Sequence, residues 1–224
     1  MNFGIVGENI SVERGSRVDV VYRLGFGKCQ LAICAPKGRP IKDLAALRGS
    51  RIATSYPRTV GNFLQANGIE ASIVEISGSV EITPSLNVSD ATCDIISTGS
   101  TARVNGLEVI HTVMVSEAVL VANPSALSAA EKMHDISQFL LRLRSVLEAR
   151  DKMYVMMNAP IDAVEKIKSI VPGMKSPTVV PLANPNMVAV HSVVAENVMW
   201  EVLENLKAAG ASDIIVVPIE KIIS

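Results

Sequence analysis

Aromatic residues make up only 4% of this 224-residue chain, and there is a single tryptophan. Lys and Arg number 21 against 22 Asp and Glu, a formal net charge of −1. A near-neutral chain this poor in aromatics lacks the basic footprint of a nucleic-acid binder. Charged residues are 19% and hydrophobic residues 49%, which excludes a disordered chain and a coiled coil. No apolar run approaches the roughly 18 residues that a membrane helix needs. Residues 1–8 have no basic n-region and no long apolar stretch, so they do not read as a secretory signal peptide. A cytoplasmic protein with no membrane and no nucleic-acid partner is expected. Cys29, Cys34 and Cys93 form neither a disulfide framework nor a zinc spacing and read as free thiols, Cys29 and Cys34 in an apolar stretch. His111, His134 and His191 are far apart, with no Cys or carboxylate at ligand spacing beside them, so no His-based metal site is expected.

What is present is an alternation of short elements. Residues 1–7 read as the end of a strand entering a glycine turn. Strands are expected over 30–35, 51–55, 71–76 and 91–96, with helices over 41–47 and 58–66. Pro57 opens the second helix and Asn67-Gly68 stops it. Strands alternating with helices predict an α/β fold with parallel strands. Residues 109–121 are apolar and β-branched, giving one or two strands. Ser128 and Glu131 are spaced as a capping box for a long helix carrying Ile136, Phe139, Leu140, Leu143 and Leu147 at helical intervals. After Asp151 the order becomes βαββαβ, the split βαβ pattern of ferredoxin-like modules. The domain boundary is therefore expected near Asp151, between residues 1–150 and 151–224.

One stretch carries chemistry. Asp90 and Asp94 flank Ala91-Thr92-Cys93, and Ile95-Ile96 lead into Ser97-Thr98-Gly99-Ser100-Thr101. In an extended segment, residues i and i+4 share a face. Two carboxylates there can accept hydrogen bonds from vicinal sugar hydroxyls. A small hydroxyl-rich turn that opens a helix offers backbone N–H groups to an anion. Together they suggest a ribose-phosphate pocket at the carboxyl end of a strand, where open α/β sheets place ligands. A capped polar residue followed by an ordinary turn is the plainer alternative.

The chain also resembles a known family, ATP phosphoribosyltransferase in its long form. The matching segments are Phe3-Gly-Ile-Val-Gly-Glu-Asn9, Arg51-Ile-Ala-Thr-Ser-Tyr-Pro57, Gly78-Ser-Val-Glu81, Cys93-Asp-Ile-Ile-Ser-Thr-Gly-Ser-Thr101 and Asn105-Gly-Leu107. They continue with Tyr154-Val-Met-Met-Asn-Ala-Pro160, Ser176-Pro-Thr178, Leu206-Lys-Ala-Ala-Gly-Ala211 and Val217-Pro-Ile-Glu-Lys221. The resemblance implies a two-lobed, periplasmic-binding-protein-like catalytic region and a ferredoxin-like regulatory domain that binds L-histidine. It implies transfer of the phosphoribosyl group of phosphoribosyl pyrophosphate (PRPP) to N1 of ATP, with Mg²⁺, in a homo-oligomer, dimer or hexamer.

By the same resemblance, Asp90 and Asp94 would take the ribose hydroxyls. Ser97, Thr98, Gly99, Ser100 and Thr101 would take the 5′-phosphate, with Glu81 beside the pocket. Gly4, Gly7 and Glu8 match a turn beside the cleft, and Tyr56 is placed to stack on a base or to pack in the core. Inhibitor contacts would fall on Asn158, Met174, Ser176, Thr178 and Asp213. Asn158 is uncharged, so it cannot pair ionically with the ligand's ammonium. No catalytic acid or base is singled out, and no metal ligand is assigned.

Family members carry a basic strand–loop–helix before the Phe3-Gly4 match. The chain thus reads as a catalytic region with an incomplete first lobe and part of its ATP and pyrophosphate site absent. Two other readings compete: a non-catalytic solute binder with a sensor domain, and a fragment that binds histidine or assembles with complete subunits.

Overall fold

The computed structural model describes residues 2–97, 99–171 and 176–223. It divides into two compact units, Met1–Met133 and His134–Ser224.

The first unit holds two sheets. One is antiparallel, in the order β1-β8-β2, from β1 (Phe3–Gly7), β2 (Asp19–Arg23) and β8 (Ala118–Ala122). The strand that residues 1–7 announced therefore finds its partner in β8, a hundred residues along the chain. Helix α1 (Glu8–Glu13) follows β1 directly. The second sheet has the order β5-β4-β6-β3-β7. Its members are β3 (Cys29–Pro36), β4 (Arg51–Thr54), β5 (Ser72–Glu75), β6 (Ala91–Ile96) and β7 (Leu107–Ser116). β5, β4 and β6 pair parallel, and β3 is inserted antiparallel between β6 and β7, so that β3 alone runs against the other four. The expected parallel sheet is thus corrected to a mixed one.

Helix α2 (Pro57–Ala66) starts on Pro57 and stops where Gly68 takes φ +63°, as its sequence signals predict. It buries Val60 and Leu64 in a core with Leu31, Ile33, Leu47, Ile52 and Cys93. The helix expected over 41–47 is only a 3₁₀ turn, Ala45–Leu47, with Asp43 Oδ1 accepting from the Ala46 amide. The chain passes between the two sheets twice, side by side, before β3 and before β8. Leu24 N–H donates to Ala118 O and Ala118 N–H to Phe26 O, both at 3.0 Å. Glu117 Oε2 accepts from the Gly25 amide at 2.8 Å. Short helices α3 (Ser100–Val104) and α4 (Pro124–Leu127) complete this unit.

The capping box does not form. Ser128 closes α4, and its hydroxyl donates to Pro124 O at 3.1 Å. The long helix α5 begins at Ala130 and runs to Ala149. Most of α5 lies in the second unit, the compact division falling after Met133.

The rest of the second unit follows the expected βαββαβ order. It comprises β9 (Lys152–Pro160), α6 (Val164–Ile170), β10 (Thr178–Pro181), β11 (Met187–Ala195), α7 (Glu196–Ala208) and β12 (Ser212–Pro218). The strands pair antiparallel in the order β10-β11-β9-β12, the ferredoxin-like arrangement. Strict alternation drives it. Val155, Met157 and Ala159 of β9, with Val188, Val190 and Val194 of β11, point into one core with Ile167, Met199 and Leu206 of the helices.

Candidate functional site

A cavity of about 200 Å³ opens at the carboxyl end of β6. Its walls include Cys34, Glu81, Thr92, Asp94, Ser97, Gly99, Ser100 and Thr101. Asp94 sits on β6 and Glu81 on the 3₁₀ turn Val80–Ile82, which packs beside that strand. Gly99 takes φ +72° as the residue before α3, a left-handed conformation that glycine adopts without steric cost. That bend turns the chain from β6 into α3 and puts Ser100 and Thr101 at the cavity wall. Thr98 lies outside the described residues.

Burial pushes the Asp94 carboxyl above the usual carboxylate range, and the nearby Glu81 charge adds to it. The amide of Ile95, donating to Asp94 Oδ1 at 2.7 Å, offsets this in part. Among the described residues, no Lys or Arg lines the cavity. The floor is a thiol: burial, then Asp94, push Cys34 up to about 11, so it stays protonated and inert.

The structure does not bring Asp90 to this cavity. Four residues at about 3.3 Å each separate Asp90 from Asp94 by roughly 13 Å. Asp90 precedes β6 at its amino end. Its Oδ2 accepts from the Arg51 backbone at 2.9 Å and from Nε at 3.2 Å. Its Oδ1 accepts from Arg51 Nη2 at 3.1 Å, and Arg39 lies 3.8 Å away. The hydrogen bonds from Arg51 hold this carboxyl below the usual range. Asp90 thus ties β4 to β6, and Glu81 is the second acid at the pocket.

Gly4 and Gly7 lie on β1, paired with Val121 and Ala118. Glu8 is engaged by Arg23, which donates to Oε2 at 2.7 Å and to Oε1 at 2.6 Å. Tyr56 packs against the core of the mixed sheet, and its hydroxyl accepts from Asn9 Nδ2 at 3.2 Å. Burial raises that phenol. Asn9 itself is buried, and Ser116 Oγ both accepts from its backbone and donates to its Oδ1 at 3.0 Å. Sequence reasoning missed this Asn9–Ser116–Tyr56 link, because its members lie 47 to 107 positions apart with no local pattern.

In the second unit, Asn158 on β9 donates from Nδ2 to Asp213 Oδ2 at 3.0 Å. Asp213 lies on the neighbouring strand β12, next to Ser212, which pairs with Asn158. Thr178 begins β10, with Ser176 just before it. Since β10 and β12 are the opposite edges of the sheet, the predicted contact residues do not gather at one point of a single chain. Met174 lies outside the described residues.

This is an α/β unit with a cavity at the carboxyl end of a strand, followed in sequence by a ferredoxin-like module. The family model for ATP phosphoribosyltransferase matches residues 1–145, and that for its HisG C-terminal domain matches residues 149–221. An ATP phosphoribosyltransferase of Cytophaga hutchinsonii is 46% identical over 222 residues, covering 99% of this chain and 77% of the relative. One from Bacteroides fragilis is 45% identical, covering 99% and 78%. The fold is similar to the ATP phosphoribosyl transferase (HisG:HisZ) complex from Thermotoga maritima. There the TM-score is 0.59 at 27% identity, covering 66% of this chain and 70% of that one. The chain belongs to the ATP phosphoribosyltransferase family, the enzymes of the first step of histidine biosynthesis. Among the described residues, no helix is long and apolar enough to cross a membrane.

Proposed function

We propose that this chain transfers the phosphoribosyl group of PRPP to N1 of ATP, giving phosphoribosyl-ATP and pyrophosphate. One observation carries the reading of the site: Glu81 and Asp94 line one cavity at the end of β6 together with Ser97, Gly99, Ser100 and Thr101. The ionised acids accept from the ribose 2′- and 3′-hydroxyls. The turn takes the 5′-phosphate through backbone N–H groups and the hydroxyls of Ser97, Ser100 and Thr101, with Thr98 assigned there by family resemblance. N1 of adenine has a free lone pair, so the attack itself needs no general base. The enzyme's work is to hold two anions together and to stabilise an oxocarbenium-like sugar.

Mg²⁺ fits this site as a companion of the substrate. Carboxylate oxygens suit it, and it is commonly held by one or two of them together with phosphates. Glu81 and Asp94 are the groups that would hold it. When bound, the ion supplies charge neutralisation of the leaving pyrophosphate.

Residues 1–150 form the catalytic region in this reading and 151–224 the regulatory domain, in a cytoplasmic homo-oligomer, dimer or hexamer. Gly4, Gly7 and Glu8 shape the cleft side of the first sheet. L-histidine is the inhibitor, touching Asn158, Met174, Ser176, Thr178 and Asp213. With Thr178 and Asp213 on opposite sheet edges, about three strand spacings of 4.8 Å apart, one small ligand touches both only across two copies of the chain.

The test is calorimetric titration with PRPP and Mg²⁺, then a turnover assay following phosphoribosyl-ATP. Saturable binding lost on Asp94→Asn supports the site. Binding unchanged in both Asp94→Asn and Glu81→Gln overturns it.

A further inference from the structure

Helix α1 leaves the β1-β8-β2 sheet and reaches the elements of the mixed one. Glu13, at its end, accepts from the Arg58 amide at 2.9 Å in the first turn of α2. It also accepts from the Thr59 amide at 2.8 Å and the Thr59 hydroxyl at 2.7 Å. Two residues on, the Arg58 guanidinium packs on Gly15 so closely that a Cβ there would overlap it. Gly15 takes φ +57°, which glycine adopts without steric cost. Asn9 Nδ2 adds a longer bond to the Tyr56 hydroxyl, at 3.2 Å.

These contacts fall where access matters. α2 follows β4, and β4 pairs parallel with β6. The start of α2 therefore lies at the same end of the mixed sheet as the β6 cavity. The two sheets are also joined by the backbone of residues 24–28 and 116–118, which run side by side. That band has the parts of a pivot. Gly25 and Gly27 take φ +74° and +62°, and a few loop residues of this kind absorb the rotation in hinged proteins. The band is stitched by side chains as well. Arg23 donates to Glu8 and to Glu117, and the other Glu117 oxygen accepts from the Gly25 amide.

We propose that Glu13 on the first turn of α2 is a latch between the two sheets, closed in this structure. Its release lets the β1-β8-β2 sheet swing about residues 24–28 and 116–118, away from the end of the mixed sheet where the cavity opens. Glu13 is thus a positioning residue and touches no substrate. The latch acts whichever ligand the cavity takes. A single carboxylate on backbone amides is a charge-assisted contact, strong enough to bias an equilibrium between two arrangements and weak enough to break.

The experiment measures, in the full chain, the separation of spin labels at Asp19→Cys on β2 and Gln65→Cys on α2 by double electron–electron resonance. Both positions are exposed. Cys29→Ser removes the partly exposed native thiol, and Cys34 and Cys93 are buried. The labelled parent should give one narrow distance. Glu13→Gln keeps the size but loses the charge, and should add a longer-distance population of roughly a tenth or more. Glu13→Lys brings a cation to the positive end of α2 and should make that population the major one. Arg58→Ala frees Gly15 but keeps the amide, and should open the latch less than Glu13→Gln does. Circular dichroism confirms that each variant is folded. If Glu13→Lys does not fold, Glu13→Gln and Arg58→Ala decide. A lowered melting temperature with the parent's single distance in the folded Glu13 variants overturns the latch and leaves Glu13 as a cap of α2 alone.

Discussion

Glu13 Oε2 accepts two hydrogen bonds from Thr59, one from its backbone at 2.8 Å and one from its hydroxyl at 2.7 Å. Its Oε1 accepts from the Arg58 amide at 2.9 Å. A carboxylate from the end of α1 thus caps the first turn of α2, where four amides lack partners within the helix. Burial alone would raise this carboxyl, but the bonds from Thr59 and Arg58 outweigh it and hold it below the usual range. Glu13→Ala should cost about 1–2 kcal/mol. The folded carboxyl is depressed, so its stabilisation is full above the unfolded carboxylate range and is lost as pH falls through the folded value. Thermal melts of wild type and Glu13→Gln across pH 3–7 check this. The gap between them should close at the acid end.

Asp90 is assigned to structure, and this separates it from Asp94 in experiment. Asp90→Asn should lower stability by roughly 1–2 kcal/mol, since it weakens a link made to both the backbone and the guanidinium of Arg51. PRPP affinity should stay within about twofold. A tenfold loss of affinity in a folded variant would return Asp90 to the pocket. The Asp90 carboxyl is held low, so its contribution also fades only at acid pH, as the sign of its shift requires.

Asp94 should behave oppositely. Its folded carboxyl is raised, so the native state binds the proton more tightly than the unfolded chain, and stability falls as pH climbs through the folded value. At neutral pH the ionised group is a standing cost to the ligand-free fold. Asp94→Asn should therefore raise the melting temperature by roughly 3 °C while weakening PRPP binding tenfold or more. A melt and a titration on the same sample decide it, and a variant that loses both stability and binding would contradict the assignment.

Gly7 is needed for space. A Cβ there would stand 2.6 Å from Asn9 Oδ1, closer than real contacts allow. Gly7→Ala should push Asn9 away from Ser116 and Tyr56, leaving buried polar atoms unpaired at a cost of about 1–3 kcal/mol. Near-ultraviolet circular dichroism should register the change around Tyr56. Gly68→Ala, where nothing lies within 4 Å, is the control for backbone strain alone.

Much of the second unit was legible because period-two alternation in β9 and β11 and helical spacing in α7 each declare their own element. The antiparallel three-stranded sheet was not. β2 is five residues of DVVYR with little burial, and its partner, β8, lies far along the chain. The false capping box arose because Ser128 satisfies a local pattern while serving the preceding turn instead. At the site, spacing put Asp90 and Asp94 on one face of an extended segment, but face is not distance. The rise per residue, applied to the same spacing, already parts them by more than one ribose can span. Glu81 came from family resemblance, and the Asn9–Tyr56 and Glu13–Thr59 links had no local signal at all.

The order β1-β8-β2 sets a schedule for synthesis. β1 and β2 are made early, yet the strand that lies between them is translated about a hundred residues later. At about 5–20 residues per second, roughly 5–20 s pass during which neither has β8 to pair with. The mixed sheet, whose five strands all lie between residues 29 and 116, is nearly complete before then. Its last strand, β7, leads directly into β8. The second sheet is therefore translated almost whole before β8 is available to join β1 and β2.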